Sequence, residues 1–100
     1  MSKTPKTRGF ATRAIHQGYD PLTYHGALAP PVFLSSTYAF SRSDTGSDRF
    51  AGRAEGYIYS RVGNPTVSVL ESRLAALEEG ESALTTSSGV GALAAVVWTL

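Results

Sequence analysis

Asn64-Pro65-Thr66 stands between a run that reads as extended and a run that reads as helical. Asn64 can cap the free amides of a first turn, and Pro65 suits the first helical position, where its missing N–H removes no bond. Val67, Leu70, Leu74 and Leu77 follow at helical spacing and form one apolar stripe, with Glu71, Arg73 and Glu78 largely off it. Gly80 is expected to end this helix as a left-handed C-cap. The rest of the chain is arranged around this helix and the segment that leads into it.

That leading segment, Tyr57-Ile58-Tyr59-Ser60-Arg61, packs two phenols and a guanidinium into one short stretch. As a strand it would place Tyr57, Tyr59 and Arg61 on one face and Ile58 on the other. A phenol beside a guanidinium makes a clamp for an anion, because both donate and Arg donates as a fixed fork. The same pattern also fits a surface strand with an exposed Arg and half-buried tyrosines.

A second candidate lies at Ser87-Ser88-Gly89-Val90-Gly91, read as a tight turn between a short buried strand over residues 82–86 and a helix from Ala92 onward. Small residues at such a turn leave backbone N–H groups open at the positive end of a helix, where a phosphate can sit. Ser88 can add a hydroxyl. A glycine turn chosen only for close helix-on-sheet packing would look the same. Gly89 to Ala94 also fits the dinucleotide pattern G-x-G-x-x-A, whose acidic partner would fall about 20 positions later. A nicotinamide-binding reading through Gly89 and Gly91 therefore stays open at this point.

Towards the N-terminus, residues 1–9 read as a polar, basic, disordered tail. Phe10 to His16 reads as a short helix or turn, and Gly18, Asp20, Pro21 and Gly26 mark a loop. Pro30-Pro31 forces an extended backbone over residues 29–40, an apolar arm suited to lying across another surface. Residues 41–56, rich in Ser, Asp, Gly and Arg without a period, read as a loop. Helix, strand, turn and helix in succession point to an α/β protein with helices on a mostly parallel sheet. The uncapped apolar run Val96-Val97-Trp98-Thr99-Leu100 is expected to continue into a longer protein.

Composition narrows the function classes. With 42% apolar residues, 100 residues can build one small core, and a net charge of +1 gives no pull towards nucleic acid or anionic membrane. No apolar run approaches the ~20 residues of a bilayer span. The first residues lack the apolar centre of a secretion signal. The absence of cysteine removes disulfides and thiolate metal sites and fits a cytoplasmic protein. His16 and His25 have no carboxylate cluster beside them, so no metal site is expected. There is no lysine outside the tail and no Ser-His-acid trio, so anion binding is expected without a nucleophile or base.

Read together, these stretches resemble the Cys/Met-metabolism family of pyridoxal-phosphate (PLP) enzymes. The resemblance is carried by residues 10–16, Ala29-Pro30-Pro31-Val32, the run from Tyr59 through Thr66, Leu70-Glu71, residues 75–78 and Ser87-Ser88-Gly89. It covers residues 9–100, and Tyr-Ser-Arg-x-x-Asn-Pro-Thr is its most specific part. Within the family it leans towards the γ-lyases that act on methionine, through Gly18-Tyr19-Asp20-Pro21, His25-Gly26-Ala27-Leu28, Phe50-Ala51-Gly52 and Val97-Trp98-Thr99-Leu100. Cystathionine γ-lyase, cystathionine γ-synthase and O-acetylhomoserine sulfhydrylase share the core motif. Val90 departs from the Met often found there, a mild change where the backbone N–H does the work.

The resemblance implies an aminotransferase-like, fold type I architecture. Residues 10–63 would form an arm on the neighbouring subunit, and residues 64–100 would begin the PLP-binding domain. It implies cofactor binding by Tyr59, Ser60 and Arg61 in a neighbouring subunit's site, and by Ser88, Gly89 and Val90 in the chain's own. It also implies a homotetramer of active-site-sharing dimers and a sulfur-containing amino-acid substrate that loses its γ-thiol. The Schiff-base lysine would lie beyond Leu100, so these 100 residues would be inactive alone.

Overall fold

A computed structural model describes residues 8–100. The tail expected over residues 1–9 falls, for residues 1–7, outside the described residues. Four α-helices follow in order: α1 (Phe10–His16), α2 (Ser43–Phe50), α3 (Pro65–Leu77) and α4 (Gly89–Thr99), with a 3-10 turn at Pro21–Tyr24. The chain divides into two compact units. One holds residues 8–17 with Glu71–Leu100, the other Gly18–Leu70.

In the first unit, α1 and the end of α3 cap one another with arginines. Arg13 Nη1 donates to the Ala76 carbonyl at 2.5 Å. Arg73 returns the contact, Nε to Gln17 O at 3.0 Å and Nη2 to Ile15 O at 2.6 Å. Each guanidinium thus meets the carbonyl end of the other helix, where the macrodipole is negative. The C-cap expected at Gly80 sits one residue earlier. Glu79 takes the left-handed conformation (φ 55°), and the Gly80 N–H reaches back to Ala75 O at 2.8 Å. That six-to-one bond closes a Schellman-type end, which needs the positive φ before the donor residue.

Residues 82–86, expected as a buried strand, form no regular element and have no ladder partner among the described residues, and Leu84 is 77% exposed. α4 begins at Gly89, three residues before the expected start at Ala92, because Ser88 caps it: Ser88 Oγ accepts from Gly91 N–H at 3.0 Å. Val90, Leu93, Val96, Val97 and Trp98 of α4 are all exposed, Trp98 by 92%.

In the second unit the expected loop over residues 41–56 contains α2, with Phe50 at its end. Its sequence lacks an apolar period, and tertiary packing supplies what is missing. The Phe40 ring lies against Gly46, where an added Cβ would stand 2.7 Å from Phe40 Cδ2, and meets Phe50 edge-on at 6.3 Å. Arg49 covers the same ring, with Cζ 5.3 Å from the centroid. Asp44 closes the first turn by accepting from Thr45 N–H at 2.9 Å. A separate aromatic group joins Tyr19, stacked on Tyr24 at 5.6 Å, to Phe33, edge-on to Tyr24 at 5.8 Å.

The arm over residues 29–40 is irregular, with bends at Ala29 and Ser36, and the described residues contain one isolated antiparallel bridge, Thr37 with Tyr59, and no ladder. The core foreseen from composition does not form within them: no apolar side chain is fully buried, and Val67, Leu70 and Leu74 of the α3 stripe are 37%, 49% and 40% exposed. The buried residues are Gly46, Asn64 and Pro65.

Candidate functional site

Asn64 performs the capping expected of it: its Oδ1 accepts from Thr66 N–H at 2.8 Å, with Pro65 at the first helical position. The amide orientation is fixed by chemistry, because a backbone N–H only donates and a carbonyl only accepts. Nδ2 therefore faces the acceptors on the other side. Those are the Phe33 carbonyl at 3.0 Å, Ser60 Oγ at 3.0 Å and the Tyr38 hydroxyl at 3.2 Å. Thr66 Oγ1 in turn accepts from Phe33 N–H at 2.9 Å. Both backbone polar groups of Phe33 are thus taken by the start of α3, which stands in for a neighbouring strand.

The Tyr57–Arg61 segment is a bridge followed by a turn, which corrects the expected strand. The Tyr59 carbonyl accepts from Val62 N–H at 2.9 Å and Gly63 N–H at 3.0 Å, and Ser60 N–H donates to Ser36 O at 2.9 Å. A bend at Ile58 breaks the alternation of faces, so Tyr57 separates from the other two. Its ring packs on Tyr38 at 5.6 Å and its hydroxyl donates to Ser68 Oγ at 3.1 Å. Tyr59 and Arg61 stay together, with the guanidinium 5.2 Å from the phenol centroid. Among the described residues, Arg61 has no carboxylate within salt-bridge distance and the Tyr59 hydroxyl has no hydrogen-bond partner. The pair borders an open concavity of about 530 Å³, lined also by Thr37, Phe50, Ile58 and Val62.

Ser60, expected beside them as a cofactor ligand, is turned inward. Its hydroxyl donates to the Ser35 carbonyl and so must accept from Asn64 Nδ2 and from Tyr38, the latter at 3.1 Å. Capping is the only role legible in the sequence for Asn64, and no local pattern singles out Tyr38. A polar residue next to Pro65 that is only 7% exposed is the structural signal that both were missed.

In the other unit, Gly89 and Val90 occupy the first two positions of α4. The N–H of Gly91 goes to Ser88 and that of Ala92 to the Ser88 carbonyl at 3.1 Å. Those of Gly89 and Val90 have no acceptor among the described residues, as the first amides of a helix have none within it. Ser88 Oγ accepts in the cap and keeps its proton to donate. Free amides at a helix start and an unpaired guanidinium beside a phenol are both donor sets of a kind an anion can take, so their chemistry fits the phosphate of a PLP group. The glycines of the dinucleotide reading lie inside the first turn of α4. Gly91 serves the cap, where a Cβ would stand 3.1 Å from Ser88 Oγ. Among the described residues no group of His, Cys, Asp or Glu could hold a metal ion, and no helix is long and apolar enough to cross a membrane.

The family model described as Cys/Met metabolism PLP-dependent enzyme matches residues 11–100. An L-methionine gamma-lyase of Pseudomonas deceptionensis is 52% identical over 100 residues, all of this chain and 25% of that protein. A homocysteine synthase of Schizosaccharomyces pombe is 42% identical over 91% of this chain and 21% of its own length. An O-acetylhomoserine (thiol)-lyase structure from Campylobacter jejuni, holding a pyridoxyl-lysine monophosphate, superposes with a TM-score of 0.82 at 33% identity, over 90% of this chain and 22% of that one. The chain thus spans about a quarter of the length of the curated relatives it matches. Family model and backbone superposition each cover nine-tenths of the chain: it belongs to the Cys/Met-metabolism family of PLP-dependent enzymes and matches the N-terminal part of their type I fold.

Proposed function

We propose that this chain supplies phosphate ligands to a PLP-dependent γ-lyase that cleaves L-methionine to methanethiol, 2-oxobutanoate and ammonia. The observation that carries the ligand assignment is Arg61, a guanidinium without an acid partner, held over the Tyr59 ring. The methionine assignment draws support from the 52% identity to a γ-lyase of that name. A second reading, γ-replacement by a synthase, draws on the homocysteine synthase at 42%.

In this reading Arg61 offers its fork of N–H donors to phosphate oxygens, and Tyr59 adds one O–H. Gly89 and Val90 add two backbone donors aligned with the helix dipole, and Ser88 adds a hydroxyl proton. Bound PLP supplies an electron sink for the substrate's α-carbon. The residues of this chain hold and orient that group, and none of them is assigned a proton-transfer role. The Tyr59-Arg61 pair serves the site of a neighbouring subunit, with residues 10–63 as the arm that reaches it and residues 64–100 as the start of the cofactor domain. The assembly is a homotetramer in the cytoplasm.

The test uses the full-length enzyme stripped of PLP and titrated with it. Arg61→Ala removes charge-assisted bonds of roughly 1.5–3 kcal/mol, so affinity should fall about 10- to 150-fold. An unchanged affinity would remove the clamp. Product analysis with methionine, cystathionine and O-acetylhomoserine separates elimination from replacement. Methanethiol and 2-oxobutanoate from methionine support the γ-lyase, and thiol exchange without 2-oxobutanoate supports the synthase.

A further inference from the structure

The Tyr59-Arg61 pair sits on a turn that is exposed on its outer side, yet its root is tied to distant parts of the second unit by hydrogen bonds. Ser60, between the two clamp residues, joins it to two segments, the arm and the start of α3. Its N–H donates to Ser36 O at 2.9 Å and its hydroxyl to the Ser35 carbonyl. The same oxygen accepts from Asn64 Nδ2 at 3.0 Å, at the start of α3. It also accepts from the Tyr38 hydroxyl at 3.1 Å. Asn64 extends the tie to the Phe33 carbonyl at 3.0 Å. Tyr38 is itself braced by the Tyr57 ring at 5.6 Å, and Tyr57 by Ser68 of α3 at 3.1 Å.

Every member is satisfied. The two Asn64 amide hydrogens serve Phe33 and the Ser60–Tyr38 pair, and Oδ1 serves Thr66. A hydroxyl has one proton, and that of Ser60 is spent on Ser35, so it has none left for an anion. A fully satisfied polar network rigidifies what it holds. What it holds is the backbone from which Tyr59 and Arg61 project, one residue to either side of Ser60.

We propose that Asn64, Ser60 and Tyr38 are positioning residues for the Tyr59-Arg61 clamp, and that Ser60 acts through Arg61 rather than as a phosphate ligand. The inference rests on the proposed phosphate role of Arg61. An exposed arginine on a loose turn must be ordered when it binds an anion, whereas one on an anchored turn is partly ordered beforehand. The network therefore acts on cofactor affinity only when Arg61 is there to be positioned.

That dependence gives the test, made on the full-length enzyme by titrating the stripped protein with PLP. Tyr38→Phe and Ser60→Ala each remove one hydroxyl with little change in shape, so the fold survives where Asn64→Ala could unfold it. Each is measured alone and on an Arg61→Ala background. The expected result is an affinity loss of about 2- to 10-fold with Arg61 present, the size of one neutral hydrogen bond. On the Arg61→Ala background the same substitutions should change affinity less than about 2-fold, since residues acting through one another are non-additive. Equal losses in both backgrounds would overturn the inference, and for Ser60 would make it a direct ligand. No loss with Arg61 present would overturn it too. If Arg61→Ala alone leaves affinity unchanged, the clamp itself fails, and that failure is visible in the single variant.

Discussion

Asn64→Ala should be among the most damaging substitutions in the second unit, and the structure says by how much. The side chain is 7% exposed and does two separable jobs. As a cap it satisfies Thr66 N–H at 2.8 Å, a contribution of about 1 kcal/mol. As a donor it satisfies the half-buried Phe33 carbonyl at 3.0 Å, and orphaning an acceptor costs about 1–3 kcal/mol to the extent that water cannot replace the donor. Ser60 and Tyr38 keep each other at 3.1 Å, so their loss is smaller. The sum is about 2–4 kcal/mol. Urea unfolding of the full-length enzyme, followed by far-UV circular dichroism with the slope checked for constancy, measures it. Asn64→Asp divides the two jobs, because it keeps the cap acceptor and sets a carboxylate against the Phe33 carbonyl. It should be no more stable than Asn64→Ala at neutral pH. A cost below about 0.5 kcal/mol for Asn64→Ala, the range of an ordinary surface change, would refute the reasoning, as would a fully stable Asn64→Asp.

Two further outcomes follow from backbone and charge. Glu79 holds a left-handed conformation at φ 55°, which strains an L side chain by roughly 1–2 kcal/mol, against about 0.5–1 kcal/mol for the freedom glycine adds to the unfolded chain. Glu79→Gly should therefore raise stability by about 0.5–1 kcal/mol in the same urea assay, while Glu79→Ala should not; equal effects would remove the strain argument. Desolvation, ahead of the neighbouring Tyr24 and Asp20, raises the Tyr19 phenol above its usual pKa of 10.0. The protonated form favours the folded state, so this contribution is whole below about pH 10 and is lost as pH rises through the folded-state value. Tyr19→Phe should flatten the alkaline fall in the unfolding midpoint, and parallel falls in both proteins would disprove it.

Much of the candidate site is legible in the sequence because its signals are local. A cap bonds two residues ahead, so Asn64-Pro65-Thr66 announced the start of α3 from adjacent letters. Tyr59 and Arg61 were picked out by residue type, and Gly89 and Val90 by small residues at a helix start. What stayed hidden depends on distant partners. Ser41 to Gly56 has the composition of a loop, and only the Phe40 ring against Gly46 and Phe50 makes α2 intelligible. The start of α4 moved because a serine read as a turn residue proved to be the cap.

By itself the sequence determined the family, the start and apolar stripe of α3, and the residue types of the proposed clamp, since each rests on neighbours along the chain. Only the tertiary structure decided that Ser60 faces inward and that Tyr57 leaves the clamp. It alone gave Asn64 a second task. The reason is distance along the chain. Asn64 meets Phe33 and Tyr38 across 31 and 26 residues, and no local periodicity records which acceptors a buried amide will find when the arm folds back onto α3.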